Sequence, residues 1–196
     1  MATIFSHFLV GWGAYRFVDA GRDAKRTGPL LAGCLSMLPD ADSLLLPWIP
    51  YGDAWGHRGM THSLAFAALA GTLAAIWLRS RVKFPGGTLG LAATLAAITA
   101  SHGFLDALTD GGLGVAFFAP VDGTRYFLPV RPIPVSPITL NPFDPWVWRV
   151  LAVEVLLLWP WALLLWTARA PAAGWIKWTA WISSAASVVC VVARLV

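Results

Sequence analysis

The sequence predicts an all-α, polytopic helical membrane protein with about four to six membrane-embedded helices. Of its 196 residues, 58% are hydrophobic and 12% are charged, and the mean hydropathy is +0.67. Soluble domains carry about 25% charged residues, and a core of this size cannot hide so much apolar surface from water. The 12 tryptophans agree with this, because Trp collects at membrane–water interfaces. We therefore expect a single membrane domain, residues 1–196, surrounded by lipid bilayer.

Six apolar segments bounded by polar residues account for the predicted helices. They are Thr3–Val18, Pro29–Leu38, Leu64–Leu78, Gly86–Leu105, Trp146–Ala168 and Trp175–Ala193. Leu44–Pro50, with Trp48 and two prolines, is interpreted as an interfacial segment. The long loop 111–145 ends at Asp144-Pro145, which predicts an N-cap followed by Pro at the first helical position. Residues 1–146, which hold all four histidines, are thus followed by two C-terminal spans in 147–196.

The basic residues predict the orientation in the membrane. Nine of the 14 Lys and Arg residues lie at or between the segment ends 16–27, 79–83 and 169–177, and the other five lie at the opposite ends. Cytoplasmic loops collect Lys and Arg, so the histidine-bearing ends are predicted to be extracytoplasmic. The net charge of +4 is explained by this topology and by anionic headgroups, so no nucleic-acid partner is expected.

If each segment crosses the membrane, every histidine falls on the same side. Asp carboxylates join them there, at the ends of four different segments. The residues that converge are His7, Asp40, Asp42, His57, His62, His102 and Asp106. Imidazole and carboxylate together suit Zn, and also Mn or Fe, so the sequence predicts a metal site at one membrane face.

His102 and Asp106 form the clearest pair, because residues four apart share one face of a helix. Thr109 and Asp110 are predicted to continue that face. Both His102 and Asp106 are expected to bind the metal, although a polar helix end would explain His102 alone. His7, one turn into an apolar segment, is a further candidate ligand, and a hydrogen-bonded histidine inside the bundle is the alternative.

Asp40 and Asp42 flank a single alanine, and in an extended or turn segment they would point the same way. One is expected to bind metal and the other to cap a helix or support a ligand. Asp42 is the preferred ligand. The alternative is helix capping, with Asp40 after Pro39 as the N-cap.

The stretch His57-Arg58-Gly59-Met60-Thr61-His62-Ser63 is predicted to bring two histidines to the site. They are five apart, about 140° around a helix, so they converge only if His57 lies on a loop and His62 at a helix start. Thr61 is the expected N-cap of that helix, and the alternative is a polar capping loop without metal. Glu154 is interpreted as an ion-pair partner of Arg149, with a ligand or a general base as alternatives.

Taken together, these motifs resemble the membrane-bound metal-dependent hydrolases of the YdjM type, which are LexA-regulated inner-membrane proteins. The resemblance covers roughly residues 1–140 and includes His7 and Arg125-Tyr126. The order of ligands is also similar to a reduced zinc-dependent phospholipase C or P1-type nuclease site. This chain lacks the further downstream histidines of those enzymes, so one or two ions are expected rather than three.

The resemblance implies metal-assisted hydrolysis in a bacterial-type inner (plasma) membrane. Asp40 or Asp110 would take the proton of the attacking water, and Arg58 or Arg125 would hold an anionic substrate. A site at the membrane face suggests a phosphoester of a lipid or lipid-linked substrate; the oligomeric state is left open. The alternatives are a non-enzymatic metal-binding or ion-transport protein and a structural membrane protein with capped helix ends. Transport sites usually lie near the bilayer midplane, which favours the enzyme.

Overall fold

The computed structural model describes residues 1–19, 27–138, 141–169 and 174–195, and these residues form helices joined by turns. Within them no β-strand occurs, which confirms the all-α prediction; two isolated backbone bridges lie in the long loop. The predicted basic residues Arg22, Lys25 and Arg26 lie outside the described ranges. Within the described ranges there are seven α-helices: α1 (Ile4–Asp19), α2 (Thr27–Met37), α3 (Leu64–Leu78), α4 (Gly87–Ala107), α5 (Pro145–Leu157), α6 (Trp159–Arg169) and α7 (Gly174–Leu195).

Two helical stretches among the described residues are long and apolar enough to cross a membrane. They are Gly87–Ala107 and Pro145–Thr167, while Leu64–Leu78 is apolar but shorter. This is fewer than the four to six membrane-embedded helices predicted from the apolar segments. A spanning helix needs about 20 residues, and α1 and α2 have 16 and 11. Apolar composition alone therefore overstated the number of full-length spans.

The first four α-helices enclose the main hydrophobic core. α1 packs against α2, α4 and α6, and α3 lies along α4. Tyr15, Leu35, Leu78 and Leu95 are buried where the four helices meet. Successive helices alternate in direction, so the start of α1, the end of α2, the start of α3 and the end of α4 lie together. The four histidines and the carboxylates of Asp40, Asp42 and Asp106 lie at this end.

The fifth predicted segment is two helices rather than one. α5 ends at Leu157 and α6 begins at Trp159, next to Pro160. Proline has no N–H to donate and its ring crowds the preceding turn, which explains the break. The start of α5 matches the prediction, because the Asp144 side chain accepts a hydrogen bond from the N–H of Trp146 at 2.9 Å and Pro145 is the first helical residue.

The long connection between α4 and α5 folds over the polar end of the helices. Val115 and Tyr126 exchange two backbone hydrogen bonds of 2.9 Å, and Asp110 N–H donates to the Ile133 carbonyl. The Ser136 N–H donates to the Met1 carbonyl, so the loop also reaches the N-terminal segment. This loop therefore covers the place where the helix ends converge.

The contact between α3 and α4 leads to a first prediction. A Cβ added at Gly71 would lie 2.3 Å from the Ala96 backbone nitrogen, so Gly71→Ala must push the helices apart. Overpacking of this kind costs about 1–3 kcal/mol, and small residues allow close helix contacts in membranes. Thermal unfolding in detergent should show a lower melting temperature for Gly71→Ala. Gly174→Ala is the control, because a Cβ there meets nothing within 4 Å; an equal effect of both changes would contradict the prediction.

Candidate metal centre

Four side chains from three different elements bring one donor atom each to a single point. Their donor atoms all lie within 4.8 Å of one another, and the residues are between 0 and 6% exposed. We refer to them as the four-donor group: Asp40, His62, His102 and Asp106. Asp40 follows α2 in a 3-10 helix (Leu38–Leu45), His62 ends a second 3-10 turn (Met60–His62), and the other two lie on α4.

The spacing of these atoms fits a four-coordinate ion. Nε2 of His62 lies 3.1 Å from Nε2 of His102 and 3.7 Å from Oδ1 of Asp40. Nε2 of His102 lies 3.2 Å from Oδ1 of Asp40 and 4.0 Å from Oδ2 of Asp106. The same Oδ2 of Asp106 lies 3.6 Å from Nε2 of His62. Two ligands of a tetrahedral zinc ion with bonds of 2.0–2.1 Å lie about 3.3 Å apart. Only small shifts would therefore place all four donors around one ion.

Hydrogen bonds on the far side of each imidazole leave Nε2 free as a donor to a metal. Nδ1 of His102 lies 2.7 Å from the Ser36 carbonyl, an acceptor, so this nitrogen carries the proton. Nδ1 of His62 lies 3.1 Å from Oδ2 of Asp42. Metal-binding histidines usually donate their second N–H to a carbonyl or a carboxylate in this way. Both rings are thus held in the tautomer that a metal requires.

Asp42 supports this arrangement from outside the four-donor group. Its carboxylate accepts a hydrogen bond from the Thr61 hydroxyl at 2.5 Å and lies 2.6 Å from Nδ1 of His57. That second distance is a hydrogen bond, since two ligands of one ion stay about 3.3 Å apart. His57, Asp42 and His62 also form a possible donor triplet. The hydrogen-bonded spacing favours a role in orienting His62 over a second ion.

A 3-10 helix explains why Asp40 and Asp42 separate. The extended or turn segment predicted for them would point both side chains the same way, and this is wrong. Each 3-10 residue turns the chain by about 120°, so residues two apart face different directions. Asp40 therefore faces His62 and His102 while Asp42 faces His57 and Thr61. Asp40 does not cap an α-helix, because the turn continues from α2 to Leu45.

The charges of the group favour a cation. Burial lowers the pKa of His62, but hydrogen bonds with Asp106, Asp40 and Asp42 outweigh this and raise it to about 10. Burial raises the pKa of Asp42, yet its bonds with His57 and His62 bring it to about 2. For Asp40, burial raises the pKa and the neighbouring His102 and His62 lower it below its ordinary range. A metal ion binding here would displace the proton held by His62.

Buried carboxylate oxygens without regular hydrogen bonds also indicate a cation site. Both carboxylate oxygens of Asp40 and Oδ2 of Asp106 accept no hydrogen bond of regular geometry from the described residues, although imidazole nitrogens and Nε of Arg58 lie within ion-pair distance. The three buried carboxylates of Asp40, Asp42 and Asp106 outnumber the buried Arg58 guanidinium and the protonated His62, so negative charge is in excess. A divalent cation would balance that excess and satisfy the oxygens, so the residues present fit a metal ion.

The Arg58 guanidinium is enclosed by the protein. Its Nε lies 3.0 Å from Oδ2 of Asp106. The guanidinium also donates hydrogen bonds to the Thr109 hydroxyl at 2.9 Å and to the Gly111 carbonyl at 2.8 Å. Its backbone has a φ of +64°, an uncommon conformation for a residue other than glycine. Arg58 was predicted to hold an anionic substrate; the structure instead places it against Asp106, fully buried.

Arg125 and Asp110, two other predicted catalytic residues, hold the loop together. Arg125 donates to the carbonyls of His57, Tyr51 and Asp53 at 2.9, 3.2 and 3.0 Å. The Asp110 carboxylate accepts from the N–H of Val135 at 2.8 Å and is exposed. The predicted helical face through Asp110 is wrong, because α4 ends at Ala107.

His7 lies beside the four-donor group. Its ring stacks on that of His102, with centroids 3.7 Å apart, and its Nε2 is 3.5 Å from Oδ1 of Asp106. Neither ring nitrogen has a hydrogen-bond partner among the described residues. The structure thus brings all six predicted metal ligands together. Three of them, His62, His102 and Asp106, lie around one point with Asp40; His57 and Asp42 lie in an adjoining layer, and His7 stacks against His102.

Two groups that support the four-donor group were not predicted from the sequence. The Ser36 carbonyl is a backbone atom and leaves no signal in the sequence. Thr61 was predicted as an N-cap, but Ser63 caps α3 by accepting from the N–H of Phe66 at 3.1 Å, and the Thr61 hydroxyl is left to bind Asp42. In both cases the partner lies far away in the chain.

Glu154 ties the N-terminal segment to α5. Its carboxylate accepts from the N–H of Thr3 at 2.6 Å, from the Thr3 hydroxyl, and from the Ser6 hydroxyl at 2.6 Å. The expected ion pair with Arg149 is not formed; Arg149 instead stacks on the Trp146 ring at 5.1 Å. Because Ala2 N–H donates to Asp106 at 2.9 Å, the same segment also reaches the four-donor group.

Comparison with known proteins gives the chain relatives. Residues 1–195 match the family described as YdjM inner membrane protein. The chain is 37% identical over 170 residues to the inner membrane protein YbcI of Escherichia coli (strain K12), which covers 84% of this chain and 95% of YbcI. No solved structure matches. The resemblance drawn from the motifs is confirmed at the level of the family, and so is the inner-membrane location.

The support that Asp42 gives to His62 leads to a second prediction. Asp42→Asn keeps the size of the side chain but removes the charge that fixes the imidazole, and such changes typically lower metal affinity about 10–100-fold. Titration of the detergent-purified protein with Zn²⁺ against a competing chelator should show that loss with unchanged stoichiometry. Asp122→Asn is the control, since Asp122 is partly exposed and its carboxylate bonds, among the described residues, only nearby Thr124 and Tyr126 in the long loop. Equal affinities of the two variants would contradict the assignment.

The buried guanidinium leads to a third prediction. Arg58→Gln leaves Asp106 without its compensating charge, and breaking a buried ion pair costs about 3–5 kcal/mol. Chemical unfolding in detergent should show this loss in the free energy of unfolding. Arg131→Gln removes an exposed guanidinium that stacks on Phe127 at 4.9 Å and should change stability by less than about 1 kcal/mol. A loss for Arg58→Gln no larger than for the control would show that the ion pair is not needed.

Proposed function

This chain belongs to the YdjM inner membrane protein family, and we propose that it is a membrane-embedded metal-dependent hydrolase. Its proposed substrate is a phosphoester of a lipid or lipid-linked molecule. The observation that carries the proposal is the four-donor group, two imidazoles and two carboxylates with mutual distances close to those of a tetrahedral site. One ion is proposed, Zn²⁺ first, with Mn²⁺ or Fe²⁺ as alternatives for the same nitrogen and oxygen donors.

The residues of the site divide into holding and supporting roles. His62, His102, Asp106 and Oδ1 of Asp40 would hold the ion, so the ligand role predicted from sequence for Asp42 is assigned to Asp40. A divalent ion bound there would lower the pKa of a water from about 15.7 towards about 7 and polarise the scissile group. Asp42 orients His62, and Arg58 limits the repulsion among the carboxylates.

Asp40 is the proposed general base. Its Oδ2 has no hydrogen-bond partner among the described residues, and the residue lines an adjoining cavity. As the water oxygen attacks phosphorus, Oδ2 would accept the proton, the P–O bond to the leaving group would break, and the same proton would return to the leaving oxygen. Asp110 is a weaker candidate, because its carboxylate is exposed and holds Val135.

The position of the site supports a membrane substrate. The four donors sit at helix ends beneath the long loop, and the helices behind them are apolar. We propose that four to six helices are embedded in the bilayer, the shorter ones sheltered by neighbours. The basic residues Arg16, Arg79, Arg81 and Lys83 lie at the opposite helix ends, which supports an extracytoplasmic site.

The proposed activity leads to a fourth prediction. The purified protein loaded with Zn²⁺ or Mn²⁺ should hydrolyse phosphodiesters such as a p-nitrophenyl phosphodiester and phospholipids in mixed micelles. His102→Ala should lower kcat/KM at least 100-fold, because it removes a proposed ligand, and chelation should do the same until metal is restored. The comparison variant is Thr72→Ala, whose hydroxyl bonds only the Ala68 carbonyl on the exposed face of α3.

The same activity assay distinguishes a hydrolase from a non-enzymatic metal-binding or transport protein. A protein that binds metal at the four-donor group but hydrolyses none of a broad panel of phosphodiesters and phospholipids would be a metal-binding or transport protein. The burial of all four donors is compatible with that alternative. Metal binding without hydrolysis would therefore overturn the proposed activity while leaving the metal site intact.

The proposed orientation gives a fifth prediction. In a chain with Cys34→Ala and Cys190→Ala, Gly123→Cys places a thiol in the long loop and Lys83→Cys places one at the basic end. A membrane-impermeant maleimide added to intact spheroplasts should label the Gly123→Cys protein, and should label the Lys83→Cys protein only after permeabilisation. The reverse pattern would put the site on the cytoplasmic side.

A further inference from the structure

A cavity of about 510 Å³ lies against the four-donor group, and Asp40 is part of its wall. It is formed by the start of α1, the end of α2, the following 3-10 helix and residues 136–138 of the long loop. Its volume falls within the range of small-molecule sites. We propose that this cavity binds the hydrocarbon chain of a bilayer lipid and presents the lipid headgroup to the metal site. This inference names the substrate-binding part of the proposed hydrolase and so rests on it.

The chemistry of the cavity wall selects a hydrocarbon. Ile4, Met37, Leu38, Leu44 and Ile138 supply apolar side chains. Among the described residues that line the cavity, the polar side chains are those of Thr3, Asp40, Ser43 and Ser136. Apolar cavities of this kind take apolar guests in preference to water. A free phosphate or a sugar would find few hydrogen-bonding groups there. The mostly apolar wall therefore suits the tail of a lipid, and Asp40 is the one carboxylate among the described residues that line it.

The mouth of the cavity suits delivery from the bilayer. Leu44 and Ile138 line the cavity and are 73% and 46% exposed, and Trp48 follows a few residues later at 78%. In water such side chains would be costly, whereas in an inner membrane protein they contact acyl chains, and Trp prefers the interface. A lipid could thus enter sideways without leaving the membrane. This continuity with the bilayer favours a lipid over a soluble ligand or a peptide.

Asp40 connects the cavity with the metal site. It is 94% buried, both of its carboxylate oxygens lack hydrogen-bond partners among the described residues, and Oδ1 is 3.2 Å from Nε2 of His102. A lipid acyl chain in the cavity would therefore end beside the proposed ion and the proposed general base, Asp40. A phosphate at that end would face the divalent charge that offsets the carboxylates.

The first experiment measures lipid binding without requiring hydrolysis. The protein with Cys190→Ala, reconstituted in nanodiscs, is irradiated with a phosphatidylglycerol that carries a diazirine near the middle of one acyl chain. The adducts should map by mass spectrometry to the peptides around Cys34–Leu44 and residue 138. Cys34→Phe and Ala41→Phe, which fill the cavity from two sides, should each reduce these adducts at least fivefold. Leu69→Phe, on the exposed face of α3, should not.

The second experiment asks whether the cavity serves catalysis. For one headgroup, the ratio of kcat/KM for a long-chain over a short-chain phosphodiester should fall at least tenfold in Cys34→Phe and Ala41→Phe and stay constant in Leu69→Phe. Specific adducts without any hydrolysis would keep the lipid site and reject the proposed hydrolase. Hydrolysis with an unchanged chain-length ratio and adducts spread evenly over the helices would keep the hydrolase and reject the lipid site. The lipid site would also be rejected if a copurified peptide or a second copy of the protein occupied the cavity and prevented its labelling.

Discussion

The structure depends on one electrostatic constraint, four electron-pair donors brought within a few ångströms of each other in a buried space. Nε2 of His62 and Nε2 of His102 face each other and the carboxylates of Asp40 and Asp106. A positive charge between these four donors is needed to offset their mutual repulsion. In a low dielectric this repulsion is strong, so only a proton or a metal ion makes the arrangement stable. The rest of the fold can be understood as the means of holding these donors together.

Support for the donors comes in layers that begin at the backbone. The Ser36 carbonyl and the Asp42 carboxylate fix the two imidazoles, Arg58 lies against Asp106, and Thr109 and Gly111 hold Arg58 in turn. The long loop closes over this network, and Glu154 anchors the N-terminal segment beside it. Apolar helices carry the network at one end, which leaves a hydrocarbon-lined cavity next to a polar centre. The lipid hydrolase proposed here would use both features.

Local patterns predicted the helices and indicated His62, His102 and Asp106, which the structure gathers in the four-donor group, because both depend on residues close in the chain. Leu64–Leu78 is the predicted segment itself, and His102 and Asp106 share a face because of helix periodicity. The direction of Asp40 and Asp42 was missed because a 3-10 helix turns by a different angle per residue. The place of Arg58 was missed because it depends on a positive φ and on partners about 50 residues away. The number of spans was overestimated because apolar composition does not fix where a helix ends.

The most direct test is the metal content of the detergent-purified protein, measured by elemental analysis after reconstitution with Zn²⁺ and desalting. We predict about one ion per chain in the wild type, none in His102→Gln, and about one, more weakly held, in His57→Gln, since His57 lies outside the four-donor group and its Nδ1 is hydrogen-bonded to the supporting carboxylate Asp42. A correctly folded wild-type protein that holds no ion and cannot be loaded would contradict the account. Equal loss of metal in both variants would contradict the division into ligands and supporting residues.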